Sequence, residues 1–411
     1  MAAQGKGIHL GLPLQNTIKR ILPLTTLTAP SRYFTAEHDI FREQVRNFVN
    51  KELNPNMDEW EEEQLFPKSL YRRMGELGFL GIRYPEKYGG SNGDIWMTVA
   101  FTEELCRARG MGLPMSVLVH TDMSSTHIAR YGTEEQRQKY LMPMITGEKV
   151  CAIGVSEPAA GSDVGGIQTT AVKDGDSYVI NGSKIFITNS VHADVFCVAA
   201  KTNKDAAHKG ISMIIVERDT PGFRLAKKLK KLGNNSSDTG ELIFEDVRVP
   251  RSNLIGEEGK GFYYIMGNFQ DERLIAASMA VGAATQALED TLRYTRERRT
   301  FGKRVFDHQA LAHRLADLAT ELEAARQLTY YAADVLQRGG DCSTEVSMAK
   351  LFASEMANRM AYHCLQLHGG YGYMQEFPIE RFFRDIRLSP IGGGTSEIMR
   401  DIIARRGLDR D

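Results

Sequence analysis

The sequence predicts an α+β protein in which a helical region, a small all-β region and a second helical region follow one another. Three stretches support this fold class. FREQVRNFVNKEL places its apolar residues on one face of a helix. DSYVINGSKIFITNS is rich in β-branched and aromatic residues, and ALAHRLADLATELEAARQL returns to helical spacing. Segregated helices and strands of this kind are typical of α+β proteins.

The first helical domain is predicted for residues 37–150. SLYRRMGELGFLG and WMTVAFTEELCRARG add two amphipathic helices to the one at its start. Loops such as YPEKYGGSNGD, with Gly and Asn at turn positions, separate the helices.

The middle β domain is predicted for residues 151–254. Asn181-Gly182 is a favoured two-residue turn, so DSYVINGSKIFITNS is predicted to form a hairpin around it. VFCVAA, KGISMIIVER and GELIFEDVRVP are further predicted strands.

The C-terminal helical bundle is predicted for residues 255–411. Its clearest pattern is an apolar stripe of Leu311, Leu315, Leu318 and Leu322, at i, i+4, i+7 and i+11.

Composition excludes several classes of protein. A net charge of -1 provides no basic field for nucleic acid. The five cysteines never form a CxxC pair, which argues against a disulfide framework and a zinc site. Apolar runs such as VFCVAA are too short for a transmembrane segment. The sequence has no HExxH motif, P-loop or Ser-His-Asp signature, and we predict no metal site.

Residues 1–36 have a composition of their own. They include Lys6, Lys19, Arg20 and Arg32 but no acidic residue, and Ser and Thr are frequent. This composition predicts a mitochondrial transit peptide ending near SRYFT. The alternative is an N-terminal extension of a bacterial protein.

The stretch CAIGVSEPAAGSDVGGIQTTA combines glycines, small residues and hydroxyls. Such a stretch can bring backbone N–H groups close to a flat ring or a phosphate, although alone it also fits a simple turn beside a strand. Together with KIFITNS and RERRTFGKRVFDHQ it resembles the acyl-CoA dehydrogenase family. The resemblance continues in the family's order from YPEKYGG to GGGTSEIMR and covers the chain after residue 36.

The resemblance implies a fold with an N-terminal helical domain, a middle β-barrel-like domain and a C-terminal four-helix bundle, assembled as a homotetramer. It also implies FAD-dependent α,β-dehydrogenation of an acyl-CoA, with electrons passed to electron-transfer flavoprotein. In such a reaction the flavin accepts the β-hydride and the protein aligns the reactants.

The resemblance assigns one group of residues to the flavin within the subunit and another to FAD across a subunit interface. For single residues of both groups, ordinary surface ion pairs and helix caps are the alternative. The family often has Tyr where Ile153 stands and Trp where Phe186 stands, and both changes keep an apolar wall. The predicted FAD positions are Ile153, Val155, Ser156, Phe186, Thr188, Arg298, Phe301, Gln309, Gln366, Gly369, Gly370, Thr395, Ser396 and Glu397.

The predicted catalytic base is Glu272, at what the resemblance implies is a helix start. Many family members carry this Glu directly before the Gly-Thr of the C-terminal loop, where this chain has Gly393. The long-chain and isovaleryl branches carry it in an ERL motif, and GNFQDERLIAAS matches that motif. The alternatives are that Glu272 only supports an early helix turn, or that Glu397 is the base.

Other positions are implied to contact the substrate. Gly393 leaves room for the Glu272 side chain to cross the pocket, and Arg273 suits the CoA nucleotide. The thioester carbonyl is to be polarised by a backbone N–H of Glu272's own loop or of Gly393-Gly394, and the sequence leaves both open. The predicted substrate-binding residues are Ser162, Tyr263, Asp271, Arg273, Gly393 and Gly394.

The favoured substrate is a medium- to long-chain acyl-CoA, with isovaleryl-CoA or another short branched acyl-CoA as the alternative. An oxidase and a non-catalytic flavoprotein homologue are the competing functions. The expected location is the mitochondrial matrix, or the bacterial cytoplasm if residues 1–36 are not a transit peptide.

Overall fold

Eight α-helices lie between residues 36 and 145 in the computed structural model, which describes residues 32–409. Asp94 begins the most buried of them, because its side chain accepts a hydrogen bond from the Met97 N–H and so caps the helix. The helices are α1 (Ala36–Phe48), α2 (Met57–Glu63), α3 (Ser69–Glu76), α4 (Ile95–Leu105), α5 (Gly112–Leu118), α6 (Ser125–Tyr131), α7 (Glu134–Gln136) and α8 (Met142–Ile145).

An aromatic cluster holds α1 and α4 together. Phe79 contacts Phe41 and Phe48 of α1 edge-on and lies 5.5 Å from the ring of Phe101 of α4. Between α5 and α6 the chain forms a π-helical turn, Val119–Ser124. This turn lies against the longest helix of the C-terminal region.

Eight strands form one sheet in the middle of the chain. Their order is β6-β7-β3-β2-β4-β5-β8, and β1 pairs with β4. Since β6 and β8 end this order, hydrogen bonds do not close the described strands into a ring. The strands are β1 (Cys151–Gly154), β2 (Thr170–Asp174), β3 (Ser177–Thr188), β4 (Val195–Lys201), β5 (Ile211–Glu217), β6 (Phe223–Lys228), β7 (Thr239–Pro250) and β8 (Leu254–Ile255).

The predicted turn at Asn181-Gly182 is wrong. Strand β3 runs through both residues, and the hairpin turn lies instead at Gly175, where Asp174 pairs with Ser177. Asn181 exchanges two hydrogen bonds with Asp246 on β7, at 3.0 and 2.9 Å. Gly182 sits at a β-bulge where an added Cβ would lie 2.5 Å from a Thr169 oxygen, so the glycine permits a close backbone approach.

The described part of the C-terminal region has three long α-helices and two short ones. The helix α9 packs on both α10 and α11, and the short α13 packs on α11 in place of a fourth long helix. Leu315, Leu318 and Leu322 of the predicted stripe are buried. The elements are α9 (Gly261–Glu297), the two-stranded hairpin β9 (Arg299–Thr300) and β10 (Lys303–Arg304), α10 (Gln309–Gln337), α11 (Ser343–His368), α12 (Pro378–Asp385) and α13 (Ser396–Ile402).

The core that positions the site lies between the sheet and the helices. Side chains of β4 and β5 such as Cys197 and Met213 meet Ile128 of α6 and Ile265 of α9, all without exposed surface. The first half of α9 therefore packs against both the N-terminal helices and the β domain. The α+β fold class is confirmed.

The transit-peptide prediction falls almost wholly outside the described residues. Among residues 32–409, no helix is long and apolar enough to cross a membrane. In the same part of the chain no group of three or more His, Cys, Asp or Glu side chains could hold a metal ion.

Candidate active site

Glu272 is an enclosed carboxylic acid on α9. Only 7% of the residue is exposed, and its Oε1 accepts a hydrogen bond of 2.9 Å from the Asn268 Nδ2 one turn earlier. Burial raises the pKa of Glu272 from the ordinary 4.5 to about 7, and the Asn268 hydrogen bond works against this rise. A carboxyl with such a pKa can accept a proton near neutral pH.

The helix-start prediction for Glu272 is wrong. Because α9 begins at Gly261, Glu272 lies about three turns inside the helix. Support of an early helix turn is thereby excluded, since helix-terminus effects fade within the first turn. The backbone N–H of Glu272 also donates within the helix. Of the two predicted sources of the N–H that polarises the thioester carbonyl, Gly393-Gly394 therefore remains.

The two neighbours of Glu272 in the sequence have different environments. Asp271 accepts hydrogen bonds from Arg83 at 2.5 Å and Arg130 at 2.7 Å. Burial would raise the pKa of Asp271, but the two guanidinium groups outweigh it and lower the pKa. The Asp271 oxygens thus link α9 to the N-terminal domain. The predicted contact of Asp271 with CoA stays a prediction.

Arg273 is a buried cation without a full set of partners. It is 7% exposed, its Nε has no hydrogen-bond acceptor, and its guanidinium lies 5.4 Å from the Phe269 ring centre. Burial lowers its pKa. A guanidinium in this state favours an anionic ligand, which agrees with the predicted contact with CoA phosphates.

The C-terminal loop is open around Gly393. Its backbone has φ +64°, and no heavy atom lies within 4 Å of a Cβ added there. The Gly394 carbonyl accepts a 2.5 Å hydrogen bond from the buried Lys350 Nζ. The N–H groups of Gly393 and Gly394 donate to no acceptor in the described chain.

The residues after this loop begin α13. Thr395 caps the helix by accepting from the Ile398 N–H, and the Ser396 hydroxyl donates to Glu355 at 2.8 Å. Glu397, the alternative base, is 79% exposed at its side chain. It lacks the enclosure that raises the pKa of Glu272.

The predicted flavin wall is assembled from two segments of the β domain. The Ser156 carbonyl accepts from the Ile185 N–H at 2.9 Å, which joins the segment after β1 to β3. Ile153 and Val155 pack on the core, and Thr188 ends β3. Phe186, two residues before Thr188 on β3, is 68% exposed. Its backbone has φ +62°, which is a strained conformation for a bulky residue.

A buried ion pair fixes this wall, and the sequence analysis missed it. The Lys184 Nζ donates to Glu157 at 2.7 Å and to the Val155 carbonyl at 3.1 Å. Glu157 in turn accepts from the Gln168 and Thr169 N–H groups. Burial lowers the pKa of Lys184 to about 8. The signal for this pair in the sequence was Lys184, a charged residue at a position of the strand that points into the protein interior.

The residues predicted to reach a neighbouring subunit form a separate group. The Arg298 guanidinium lies 5.4 Å from the Tyr371 ring, next to the turn that contains Gly369 and Gly370. Phe301, at the tip of the β9–β10 hairpin, is 96% exposed with φ +50°. Gln309 begins α10 and Gln366 lies in the last turn of α11. No hydrogen bond or ring contact in the described chain joins this group to Glu272.

Two predicted substrate positions lie outside these groups. Ser162 is exposed in the segment between β1 and β2. Tyr263 is 45% exposed in the first turn of α9, and its ring meets Phe262 and His208 edge-on. No hydrogen bond joins either residue to Glu272 among the described residues.

The described residues thus include a buried acid whose pKa is raised, an exposed aromatic ring on the β domain and a loop whose N–H groups donate to no described acceptor. The described residues fit FAD, because the exposed Phe186 ring can stack on isoalloxazine. An added Cβ at Gly369 or Gly370 also meets nothing within 4 Å, which leaves space for a backbone-bound nucleotide.

Comparisons with known proteins identify the family. The family models for the acyl-CoA dehydrogenase N-terminal, middle and C-terminal domains match residues 35–148, 152–247 and 259–408. The chain therefore belongs to the acyl-CoA dehydrogenase family, and it is an acyl-CoA dehydrogenase with FAD as its cofactor. One solved relative, 30% identical with a TM-score of 0.89 and covering 93% of this chain and 100% of its own, is described as PigA with FAD and proline.

Three further relatives show the range of the family. The long-chain specific mitochondrial acyl-CoA dehydrogenase of Rattus norvegicus is 43% identical over 91% of this chain and 87% of its own. The short-chain specific acyl-CoA dehydrogenase of Clostridium acetobutylicum is 41% identical over 90% and 97%. The crystal structure of acyl-CoA dehydrogenase from Geobacillus kaustophilus is 47% identical with a TM-score of 0.89, covering 92% and 99%.

Proposed function

We propose that Glu272 removes the α-proton of an acyl-CoA thioester during FAD-dependent oxidation to the trans-2-enoyl-CoA. The observation that carries this proposal is the enclosed Glu272 carboxyl, whose pKa burial raises to about 7. Burial strengthens the base, and a pKa near the working pH keeps a useful fraction ionised. In the C-terminal loop, Gly393 stands where many family members carry the base, and a Cβ added there would meet no atom within 4 Å.

The residues of this chain divide the work as follows. The Glu272 carboxylate takes the α-proton, while the free N–H groups of Gly393 and Gly394 stabilise the negative charge that develops on the thioester oxygen. The Arg273 guanidinium binds the anionic end of CoA. Bound FAD supplies the acceptor for the β-hydride. Phe186 and Thr188 line the ring of that cofactor, on a wall fixed by the buried Lys184–Glu157 pair.

The proposed substrate is a medium- to long-chain acyl-CoA, saturated or methyl-branched. The ERL motif and the segment GGYGYMQEFPIERFFRD support it through their resemblance to the long-chain branch. A short branched substrate such as isovaleryl-CoA is the second candidate, and similar identity to relatives named for long and short chains favours neither.

The test is anaerobic titration of the purified protein with acyl-CoAs of graded length, from butyryl- to palmitoyl-CoA, and with isovaleryl-CoA. Bleaching of the flavin absorbance by medium and long chains at the lowest concentrations supports the proposal. Preference for butyryl- or isovaleryl-CoA overturns the chain-length assignment. Absence of bleaching by any acyl-CoA overturns the proposed role of Glu272 in catalysis.

The proposed electron acceptor is electron-transfer flavoprotein, and the proposed assembly is a homotetramer. The nearly fully exposed Phe301 ring supports an interface at the β9–β10 hairpin, because a large apolar ring is rarely left bare in the assembled protein. Reduced enzyme that transfers electrons to electron-transfer flavoprotein faster than to oxygen agrees with this. Faster reoxidation in air indicates an oxidase. A mass of one subunit in solution contradicts the tetramer.

For its location we propose the mitochondrial matrix, on the basis of the composition of residues 1–36. N-terminal sequencing of the protein from its native source tests this. A mature N-terminus near Tyr33 agrees with a cleaved transit peptide, and an intact Met1 points to the bacterial cytoplasm.

A further inference from the structure

We propose that Asn268 is the positioning residue of Glu272, a fixed amide donor that holds one carboxylate oxygen and leaves the other to take the proton. This inference rests on the proposed role of Glu272 as the base. Asn268 lies one turn before Glu272 on α9, so both side chains project from the same face of the helix.

The surroundings decide which end of the Asn268 amide faces Glu272. The Nδ2 lies 3.2 Å from the Asp122 carbonyl oxygen and 3.3 Å from the Met123 carbonyl oxygen. The Oδ1 faces the Arg130 guanidinium at 3.5 Å. Carbonyl oxygens only accept hydrogen bonds and a guanidinium only donates them, so a flipped amide would be unfavourable at both ends. The Asn268 Nδ2 therefore faces Glu272, whose Oε1 at 2.9 Å is nearer to it than either carbonyl oxygen.

The two carbonyls belong to the π-helical turn Val119–Ser124, where the backbone departs from ordinary helical pairing. Such turns often occur at functional sites. Arg130, which faces the Oδ1, is itself held by Asp271 at 2.7 Å, and Arg83 holds the other Asp271 oxygen. The N-terminal domain thus holds α9 at Asn268 and Asp271, which both lie just before Glu272 in the sequence.

This arrangement distinguishes the two oxygens of the base. Oε1 accepts from Asn268 at 2.9 Å, whereas no donor in the described chain reaches Oε2. A hydrogen bond to the ionised form stabilises that form and restricts its rotation. The structure therefore assigns Oε2 as the atom that receives the α-proton.

The test is the pH dependence of flavin bleaching by acyl-CoA in Asn268→Leu, with Gln270→Leu as the matched control. Gln270 is on the same helix but donates to Asp341 and Ser343 instead. The charged groups around the site remain in both variants; these are Asp271 and Arg273 on α9, Arg83, Arg130 and Asp122 on the N-terminal elements, and Lys350 on α11.

Without its donor, the Glu272 carboxylate loses stabilisation and holds its proton to a higher pH. We expect the acidic limb of the profile to move up by about one to two pH units in Asn268→Leu. Bleaching then slows about tenfold or more at pH 6 and approaches the wild-type rate at alkaline pH, with little change in the apparent KM. Gln270→Leu keeps the wild-type profile.

A further variant and a second measurement keep the test decisive. Asn268→Asp has the same size, so it serves if the leucine variant does not fold. Its carboxyl cannot donate when ionised and moves the acidic limb in the same direction. A ¹³C carboxyl titration of glutamate-labelled protein, with the Glu272 signal assigned by its loss in Glu272→Gln, reads the pKa without turnover.

The outcomes separate this inference from the proposed function. If Glu272→Gln is inactive but both Asn268 variants keep the wild-type profile and pKa, the positioning role of Asn268 is wrong and the base assignment stands. If Glu272→Gln bleaches at the wild-type rate, the base assignment itself fails. A rate that falls equally at all pH values in the Asn268 variants indicates general structural damage and also overturns the inference.

Discussion

The raised pKa of Glu272 predicts that its carboxyl destabilises the folded protein above about pH 5. Burial raises this pKa from 4.5 to about 7. As the pH rises through this interval, the unfolded chain releases a proton that the folded chain still holds. The unfolded state binds fewer protons, so the free energy of unfolding falls with rising pH and levels off above pH 7.

Replacement of Glu272 by Gln removes this effect while keeping the size of the side chain and its capacity to accept from Asn268. Each pKa unit corresponds to about 1.36 kcal/mol. We therefore expect Glu272→Gln to raise the free energy of unfolding by about 3 kcal/mol at pH 8 and by less than about 1 kcal/mol at pH 5. A gain in stability at the expense of activity is common at active sites.

Equilibrium urea unfolding at pH 5 and pH 8, at one protein concentration and with the same excess of FAD, measures the difference. Glu257→Gln is the control, because Glu257 is exposed just before α9 and its side chain forms no hydrogen bond within residues 32–409. The control should show no pH-dependent gain. A Glu272→Gln effect that is equal at the two pH values, or destabilising at pH 8, would refute the burial argument.

Two other predictions concern the cofactor. Lys184→Met leaves the Glu157 carboxylate buried and unpaired, so we expect a loss of about 3–5 kcal/mol in the free energy of unfolding and weaker FAD retention on gel filtration. The double variant with Glu157→Gln should recover most of the stability, and failure to do so contradicts the ion-pair explanation. Phe301→Ala removes a ring that is 96% exposed, so urea unfolding of the FAD-free chain should change by less than about 0.5 kcal/mol while the FAD-to-protein ratio falls. Leu408→Ala, at another exposed apolar residue, should change neither, and unchanged FAD retention in Phe301→Ala contradicts a cofactor role for the hairpin.

The sequence predicted the fold class because its helices and strands carry clear periodicity. The leucine stripe of α10 and the runs that became β4, β5 and β7 lie where the patterns indicated. Asn181-Gly182 misled the prediction, because a pattern with a period of two residues looks alike in one long strand and in a hairpin. The pairing of Asn181 with Asp246, which is distant in the sequence, decided between them.

Site residues could be predicted from the sequence only where they lie within a short recognisable motif. Glu272 could be proposed from DERLIAA, but its depth within α9 depends on where the helix begins, and boundaries are the least certain part of such predictions. Asn268 and the Lys184–Glu157 pair depend on long-range contacts with the π-helical turn and the segment after β1. Their roles could only be recognised once the chain was folded.

The most direct test of the central claim is the rate of anaerobic flavin bleaching by a good acyl-CoA substrate in Glu272→Gln. In the proposed mechanism this variant lacks the group that takes the α-proton, so we expect a fall of about 10²- to 10⁴-fold at pH 8, with FAD still bound. Glu257→Gln should bleach at the wild-type rate. If Glu272→Gln also bleaches at the wild-type rate, the base lies elsewhere, and Glu397 on α13 becomes the next candidate.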